Sequence, residues 1–334
     1  MYSLRDFLGF FLGAAITAAV VVLLLPPAPC PCGQDLASVN GSQANLSMSK
    51  LNTAAAAAAS KEDNELAELL RSAAMEDNTI IMTFTNEALM LPGSLLELFL
   101  ESFRVGVGTQ PLLKHLVIVT MDGKAFERCG RMHPLCYLLV EGRSGSDDGL
   151  AAEMWFMSPN YLDMMWARNR FQARVLGLGF SFVFTDVDIV WFRNPLLRIP
   201  AGADVAMACD QFYGHTHNPY DLEKSANGGF VYARASPRTA AFYRGWYEAR
   251  ARYPGEHEQG VFQLEKRELA ARHGVTLQLV DTAYLGSHCE PKKDFYKLCM
   301  YHANCLFGLQ NKIGNLTAML DEWKLFKAQH ELTY

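Results

Sequence analysis

Apolar positions along the chain fall into two textures. Short apolar runs rich in β-branched and aromatic residues recur at Thr79–Phe84, His115–Thr120, Tyr137–Val140, Phe180–Phe184, Asp204–Cys209, Phe230–Ala233 and Thr276–Val280. Each is too short for a helix and is bounded by polar or glycine-bearing segments, which predicts a strand. Between them lie stretches with helical spacing, at Leu91–Val105, Ser158–Leu178, Pro237–Tyr253 and His257–His273. Pro159 takes the favoured first-turn place of the second. Strands alternating with helices predict an α/β fold, a Rossmann-like, mostly parallel sheet with flanking helices. Ligands bind beyond the C-terminal strand ends of such sheets. Thr85-Asn86-Glu87, Asp122 and the pair Asp186 and Asp188 all fall on that edge. No internal repeat or boundary divides the chain after about residue 76, so 76–334 reads as one domain.

The N-terminal part has another pattern. Residues 7–25 carry no charge and are long enough to cross a hydrocarbon core as a helix. Arg5 precedes the span and no Lys or Arg follows until Lys50, which puts residues 1–6 in the cytosol. A cleaved signal peptide is the rival, but the span ends in Leu23-Leu24-Leu25-Pro26-Pro27, not at small residues. A signal anchor followed by a stem over 26–75 is expected, with a short solvated helix from Lys61 to Leu70 capped by Ser60. Asn40-Gly41-Ser42, Asn45-Leu46-Ser47 and Asn315-Leu316-Thr317 match the glycosylation triplet. The chain has 8 cysteines, compatible with an oxidising lumen. Cys30 and Cys32 suit interchain bridges, so a disulfide-linked or other oligomer through the stem is expected. Cys209, in an apolar strand, is the strongest candidate for a free thiol. The net charge of −5 and the lack of a basic stripe argue against a nucleic-acid partner.

Candidate chemistry centres on Asp186 and Asp188. Residues two apart on a strand share a face, so both carboxylates should point one way at a buried strand end. Held together they need a counter-charge, and oxygen ligands suit Mg²⁺ or Mn²⁺. Two Asp capping a turn is the plainer alternative. In the preceding helix Arg168 and Gln172 share one face, Arg170 and Arg174 another. One of these faces could bring an Arg to a phosphate at the metal edge. His302 could complete a metal shell and Lys312 could neutralise a diphosphate, although neither follows from spacing. Asn227-Gly228-Gly229 before a strand allows close approach of a ligand, or forms an ordinary turn. Asp210, ending a strand, and Glu258-Gln259, at a helix start, are further groups that could meet a sugar.

The block Phe184-Thr185-Asp186-Val187-Asp188-Ile189-Val190-Trp191-Phe192-Arg193-Asn194-Pro195 resembles the Asp-x-Asp block of the plant nucleotide-diphospho-sugar transferase domain, glycosyltransferase family 77. The resemblance runs from about Thr79 to Leu320. It includes Thr85-Asn86-Glu87, Arg170-Phe171-Gln172, Ala208-Cys209-Asp210, Asn227-Gly228-Gly229-Phe230, Glu258-Gln259-Gly260-Val261-Phe262, Cys289-Glu290-Pro291 and His302-Ala303-Asn304-Cys305. Leu306 stands where the family tends to have a second Cys. The resemblance implies a GT-A fold and a type II Golgi membrane protein with its catalytic domain in the lumen. It also implies a retaining transferase that moves a pentose or galactose from a UDP-sugar to a cell-wall polysaccharide or glycoprotein. It implies Mn²⁺ or Mg²⁺ on Asp186, Asp188 and His302, with Arg168 or Arg170 and Lys312 on the diphosphate. Thr85 and Asn86 would meet the nucleotide, Asn227 and Gln259 the sugar or acceptor, and Asp210 is the one nucleophile named. Two other readings remain at this stage: a non-catalytic nucleotide-sugar-binding or scaffold protein, and a haloacid-dehalogenase-type phosphatase with Asp186 as nucleophile.

Overall fold

The computed structural model describes residues 61–139, 151–153, 155–213, 218 and 220–330. The uncharged run 7–25, the stem up to residue 60 and the polar loop 142–149 lie outside the described residues. Among the described residues no helix is long and apolar enough to cross a membrane.

The main sheet has seven strands in the order β3-β2-β1-β4-β7-β6-β8. They are β1 (Thr79–Thr85), β2 (Leu116–Thr120), β3 (Cys136–Leu138), β4 (Ser181–Thr185), β6 (Val205–Gln211), β7 (Ser225–Ala233) and β8 (Leu277–Leu279). All neighbours are parallel except that β7 runs against both β4 and β6. The expected mostly parallel α/β sheet is therefore present. Its apolar runs are continuous because both faces are covered. Ile80, Met82, Phe182 and Phe184 enter one core, whereas Ile81 and Val183 enter the other.

The first core is closed by α4 (Pro159–Gly177), α5 (Pro237–Ala249) and α6 (Glu258–His273), through Phe171, Phe242 and Phe262. The second is closed by α2 (Leu95–Val105), α7 (Leu309–Gln329) and a small sheet ordered β5-β10-β9. That sheet comprises β5 (Ile189–Trp191), β9 (Leu285–Ser287) and β10 (Met300–His302). A further helix, α3 (Gly123–Met132), is capped by Asp122, whose carboxylate accepts from Ala125 N.

Four expectations change. A helix over 61–73, α1, is not a solvated piece of stem: Leu66, Leu70 and Ala73 are fully buried in the first core. Their spacing makes one apolar stripe, which packs on the domain. Asp63 on α1 also pairs with Arg174 at 2.6 Å, and α1 belongs to the same compact unit as the sheets. Strand β7 starts at Ser225, so Asn227-Gly228-Gly229 is strand with β4 and β6 as neighbours, not a turn before it. Strand β4 stops at Thr185, so Asp186 and Asp188 stand in the bend between the two sheets, not on one strand face. Finally, Asn315 of the third glycosylation triplet lies inside α7 with its side-chain oxygen buried, whereas an acceptor asparagine needs an open surface loop.

Candidate active site

The bend between β4 and β5 is where the chain leaves the large sheet for the small one. Strand registers bring the other parts to it. Asp186 N donates to Gly229 O on β7 at 2.7 Å. On the other side β10 pairs with β5 so that His302 lies opposite Ile189. The imidazole thus reaches the carboxylates from more than a hundred residues away. His302 Nε2 is 3.1 Å from Asp188 Oδ1 and 3.8 Å from Asp186 Oδ2. Each of the three offers a ligand atom, and these atoms lie within 4.8 Å of one another. His302 Nδ1 donates to Asn227 Oδ1 at 3.1 Å, because that oxygen already accepts from Gly229 N and is thereby fixed as the acceptor. This turns Nε2 towards the carboxylates, the usual support for a ligating histidine. Two carboxylates and an imidazole are a donor set that fits Mn²⁺ or Mg²⁺.

Basic groups complete the charge balance. Lys312, in the first turn of α7, donates to Asp188 Oδ2 at 2.5 Å. Arg168 of α4 is buried and bridges Asp186 Oδ1 at 2.8 Å and Glu258 Oε1 at 2.5 Å. Its guanidinium also lies 4.5 Å from the Phe184 ring centre. Burial opposes the charge on Asp188, but Lys312 and His302 outweigh it and hold the carboxyl well below the usual range. Burial pushes the Asp186 carboxyl up and the Asp188 charge adds to this, against Arg168. Burial alone would lower His302 and Lys312, yet the Asp188 charge leaves both raised. The two carboxylates are thus driven apart in proton affinity, because burial prevails at Asp186 whereas Lys312 and His302 prevail at Asp188.

Beside this cluster, amides hold Asp210 from three sides. Asn227 Nδ2 and Asn304 Nδ2 donate to its Oδ1 at 2.8 and 2.6 Å, and Gln259 Nε2 donates to Oδ2 at 3.0 Å. Gln259 Oε1 accepts from Gly228 N at 2.8 Å, which ties the start of α6 to β7. Gly229 faces the cluster so closely that an added Cβ would lie 2.3 Å from His302 Cε1 and 2.7 Å from Asp186 Oδ2. A disulfide between Cys289 and Cys305 fixes the segment carrying Asn304; another joins Cys129 and Cys136. Cys209 is a buried free thiol, as expected, and so is Cys299. Asp210 with Cys289 and Cys305 is no metal site, because both sulfurs are spent in the disulfide.

The sequence candidates Asp186, Asp188, His302, Lys312, Arg168, Asp210, Asn227 and Gln259 therefore converge. Arg170 does not. It lies two residues from Arg168 on a helix and so points elsewhere, donating to Tyr247 OH at 2.9 Å beside a cavity of about 590 Å³ shared with Asp63 and Arg174. Thr85 and Asn86 are on the expected edge but buried. Thr85 Oγ1 donates to Asn86 O, and Asn86 accepts from Leu89 N and donates to Ala152 O. Asp122 is likewise occupied, by Ala125 N and Glu87 N. Sequence reasoning did not single out Glu258 as the partner of Arg168, or Asn304; both are brought in by long-range contacts.

Residues 111–316 match the nucleotide-diphospho-sugar transferase family. That span contains all the converging residues and excludes Thr85 and Asn86. An uncharacterized Arabidopsis thaliana protein is 39% identical over 271 residues, 80% of this chain and 70% of the relative. A second is 32% identical over 269 residues, 79% of each. The Arabidopsis thaliana beta-arabinofuranosyltransferase RAY1 is 31% identical over 74 residues, 22% of this chain and 14% of that protein. The phosphatase and non-catalytic readings fall with this match: the chain belongs to the nucleotide-diphospho-sugar transferase family and is a glycosyltransferase.

Proposed function

We propose that the enzyme transfers a sugar from a UDP-sugar donor with retention of configuration, using a divalent cation held by Asp186, Asp188 and His302. The observation that carries this is the convergence of those three ligand atoms, oriented by Asn227 and flanked by Lys312. Held by these three residues, Mn²⁺ or Mg²⁺ would supply Lewis-acid stabilisation of the charge that grows on the leaving diphosphate as its bond to the sugar breaks. Lys312 is partly exposed and would add its charge to the same phosphates. The buried Arg168 holds Asp186 in place through an ion pair at the rim of the site. Asp210, Asn227 and Gln259 form the wall on which the donor sugar would rest. Retention requires either a carboxylate nucleophile, for which Asp210 is the candidate, or front-face attack assisted by the leaving phosphate.

A pentose or galactose is the proposed cargo, and a cell-wall polysaccharide or glycoprotein the proposed acceptor. The arabinofuranosyl activity in the name of one relative supports the pentose. A GT-A assignment agrees with the single antiparallel strand β7 beside β4. A type II Golgi anchor over residues 7–25, with a luminal domain and a stem able to link copies, completes the proposal. The two intradomain disulfides suit that oxidising lumen.

The test uses the full chain with a panel of UDP-pentoses and UDP-galactose, read by UDP release with Mn²⁺ and with EDTA. Asp188→Ala should lower turnover at least about a hundredfold, as loss of a group that holds transition-state charge does. Turnover indifferent to EDTA and to Asp188→Ala sinks the metal site.

A further inference from the structure

One feature near the site takes no part in the donor chemistry described above. The segment before α4 is well tethered. Asn86 Nδ2 donates to Ala152 O at 2.9 Å, Leu309 N donates to Glu153 Oε1 at 3.0 Å, and Ser158 N donates to Trp155 O at 3.0 Å. It is also strained, since Met157 adopts the left-handed region at φ 64°, which a methionine rarely does. Yet this tethered, strained segment holds its aromatic rings out of the core: Trp155 is 81% exposed and Phe156 56%. Strained backbone persists where surrounding structure enforces it, often at binding sites.

The rings are not scattered. Phe156 meets Tyr161 edge-on at 5.3 Å and His257 at 5.4 Å. His257 is the residue before Glu258, and its Nδ1 lies 3.9 Å from Glu258 Oε2. That oxygen is buried and has no hydrogen-bond partner among the described residues. Tyr161 lies seven residues before Arg168 on α4, hence on the same helix face. Its hydroxyl is raised in pKa by burial and then by the Glu258 charge, in keeping with a place beside that carboxylate. A wall thus runs from Phe156, with the exposed Trp155 next to it in the chain, past Tyr161 and His257, to Glu258 and its partner Arg168, which grips Asp186.

We propose that Trp155 and Phe156 form the acceptor platform of this glycosyltransferase, stacking against one sugar ring of the acceptor glycan. The inference rests on the donor-site reading above, because its occupant is placed by continuity with that site. A sugar ring has a flat C–H face and a hydroxyl rim. Flat apolar rings at the mouth match the face, while His257, Tyr161 and Glu258 deeper in the wall match the rim. Exposed apolar surface of this kind, edged by polar groups and next to a site, marks a binding groove. The residues act as positioning and specificity groups, since none is placed on the donor's diphosphate.

The experiment is saturation-transfer NMR on the full chain, with methyl β-D-galactoside, methyl β-D-xyloside and methyl α-L-arabinofuranoside as probes. The variants are Trp155→Ala, Phe156→Ala and Phe156→Tyr. At least one glycoside should receive saturation from the aromatic envelope of the wild type. Each alanine variant should weaken that glycoside by about tenfold, the loss of one stacked ring contact, and Phe156→Tyr should restore it. Glycosides that give no signal with the wild type, or equal signals with both alanine variants, overturn the proposal. So does an unglycosylated hydroxyproline peptide whose binding alone depends on the two rings. UDP titration with Mn²⁺ on the same samples reads the donor site separately, and it should be unchanged in all three variants.

Discussion

Replacing Gly229 by alanine adds one methyl group to the most crowded point of the site, and its cost follows from the structure. Gly229 sits in β7 without a positive φ, so alanine meets no backbone strain there. The whole effect is steric. The new Cβ would stand 2.3 Å from His302 Cε1, 2.7 Å from Asp186 Oδ2 and 2.8 Å from Asn227 Oδ1. Ordinary carbon contacts lie at about 3.5–4.0 Å, so the imidazole must retreat by more than about 1 Å. It has little freedom to do so, being buried and bonded through both nitrogens to Asn227 and Asp188. Overpacking of this kind costs about 1–3 kcal/mol, which for a domain of this size lowers Tm by roughly 3–10 °C. A shift of about 1 Å in a catalytic group costs on the order of a hundredfold in rate. Gly228→Ala is the control, because its Cβ meets nothing nearer than Gln259 Oε1 at 3.5 Å. Thermal melts, Mn²⁺ titration and UDP release on both variants make the assay. Gly229→Ala should lose Mn²⁺ affinity and turnover, whereas Gly228→Ala should keep its Tm and Mn²⁺ affinity. Wild-type turnover and Tm in Gly229→Ala would falsify the placement of His302 against the carboxylates.

Other perturbations test other links. Arg168→Ala strips the buried Glu258 and the rim residue Asp186 of their shared partner and should cost about 3–5 kcal/mol, read as a fall in urea midpoint; a smaller loss in Arg168→Lys is expected, because a point charge cannot bridge both carboxylates as a fork does. Cutting the chain before residue 57 should leave a stable domain, while cutting before residue 76 removes Leu66, Leu70 and Ala73 from the core. Each lost leucine forfeits about 1.5–3 kcal/mol, so the shorter form should aggregate or melt far lower. If both forms melt alike, α1 is a stem element after all. Reducing the Cys289–Cys305 bridge, or replacing both residues by serine, should cost about 3 kcal/mol by the entropy of a closed loop of this length. The same change should weaken Asn304 on Asp210, seen as lower turnover at unchanged Mn²⁺ affinity.

Strands β1, β2 and β4 of the large sheet were legible because they are buried on both faces and read as unbroken apolar runs, whereas the polar and glycine-rich first half of β7 was not. The division of α4 into two polar faces was legible too: helical spacing separates Arg168 from Arg170, and the structure sends them to different partners. Helix α7 carries Leu316, Met319, Leu320 and Trp323 at core spacing, yet the run is short and flanked by the polar Gln310-Asn311-Lys312 and by Lys324 and Lys327, which dilute the pattern, and it was not expected. Helix α3 buries only Ala125 and Cys129 and contains two glycines, so its stripe is too thin to read. Within the site, types and edge positions could be inferred, but partners could not. Thr85 and Asn86 reach the right edge, but the fold engages their side chains with the Asn86 and Ala152 carbonyls and with Leu89 N. Glu258 finds Arg168 across 90 residues, a pairing set by how α6 packs on α4.

Burying charges rarely stabilises a fold, so the balance of the cluster bears on its use. Three carboxylates, Asp186, Asp188 and Glu258, face the cations Arg168 and Lys312 and the imidazole of His302. Arg168 and Lys312 therefore each already hold a carboxylate of the cluster before any ligand enters. On the proposed chemistry a divalent cation entering alone would compete with Lys312 for Asp188. A diphosphate entering with it supplies negative charge and gives Lys312 a new partner. Cation and donor should then bind cooperatively. Mn²⁺ titrated by electron paramagnetic resonance should bind at least about tenfold more tightly with saturating UDP than without, a coupling of about 1.4 kcal/mol. By reciprocity UDP should gain the same factor from Mn²⁺. Lys312→Ala removes the competing cation, so it should tighten Mn²⁺ in the absence of UDP while weakening UDP itself. Equal Mn²⁺ affinity with and without UDP, or no gain in Lys312→Ala, would show that Lys312 is a fixed structural partner of Asp188 and not a group released to the phosphates.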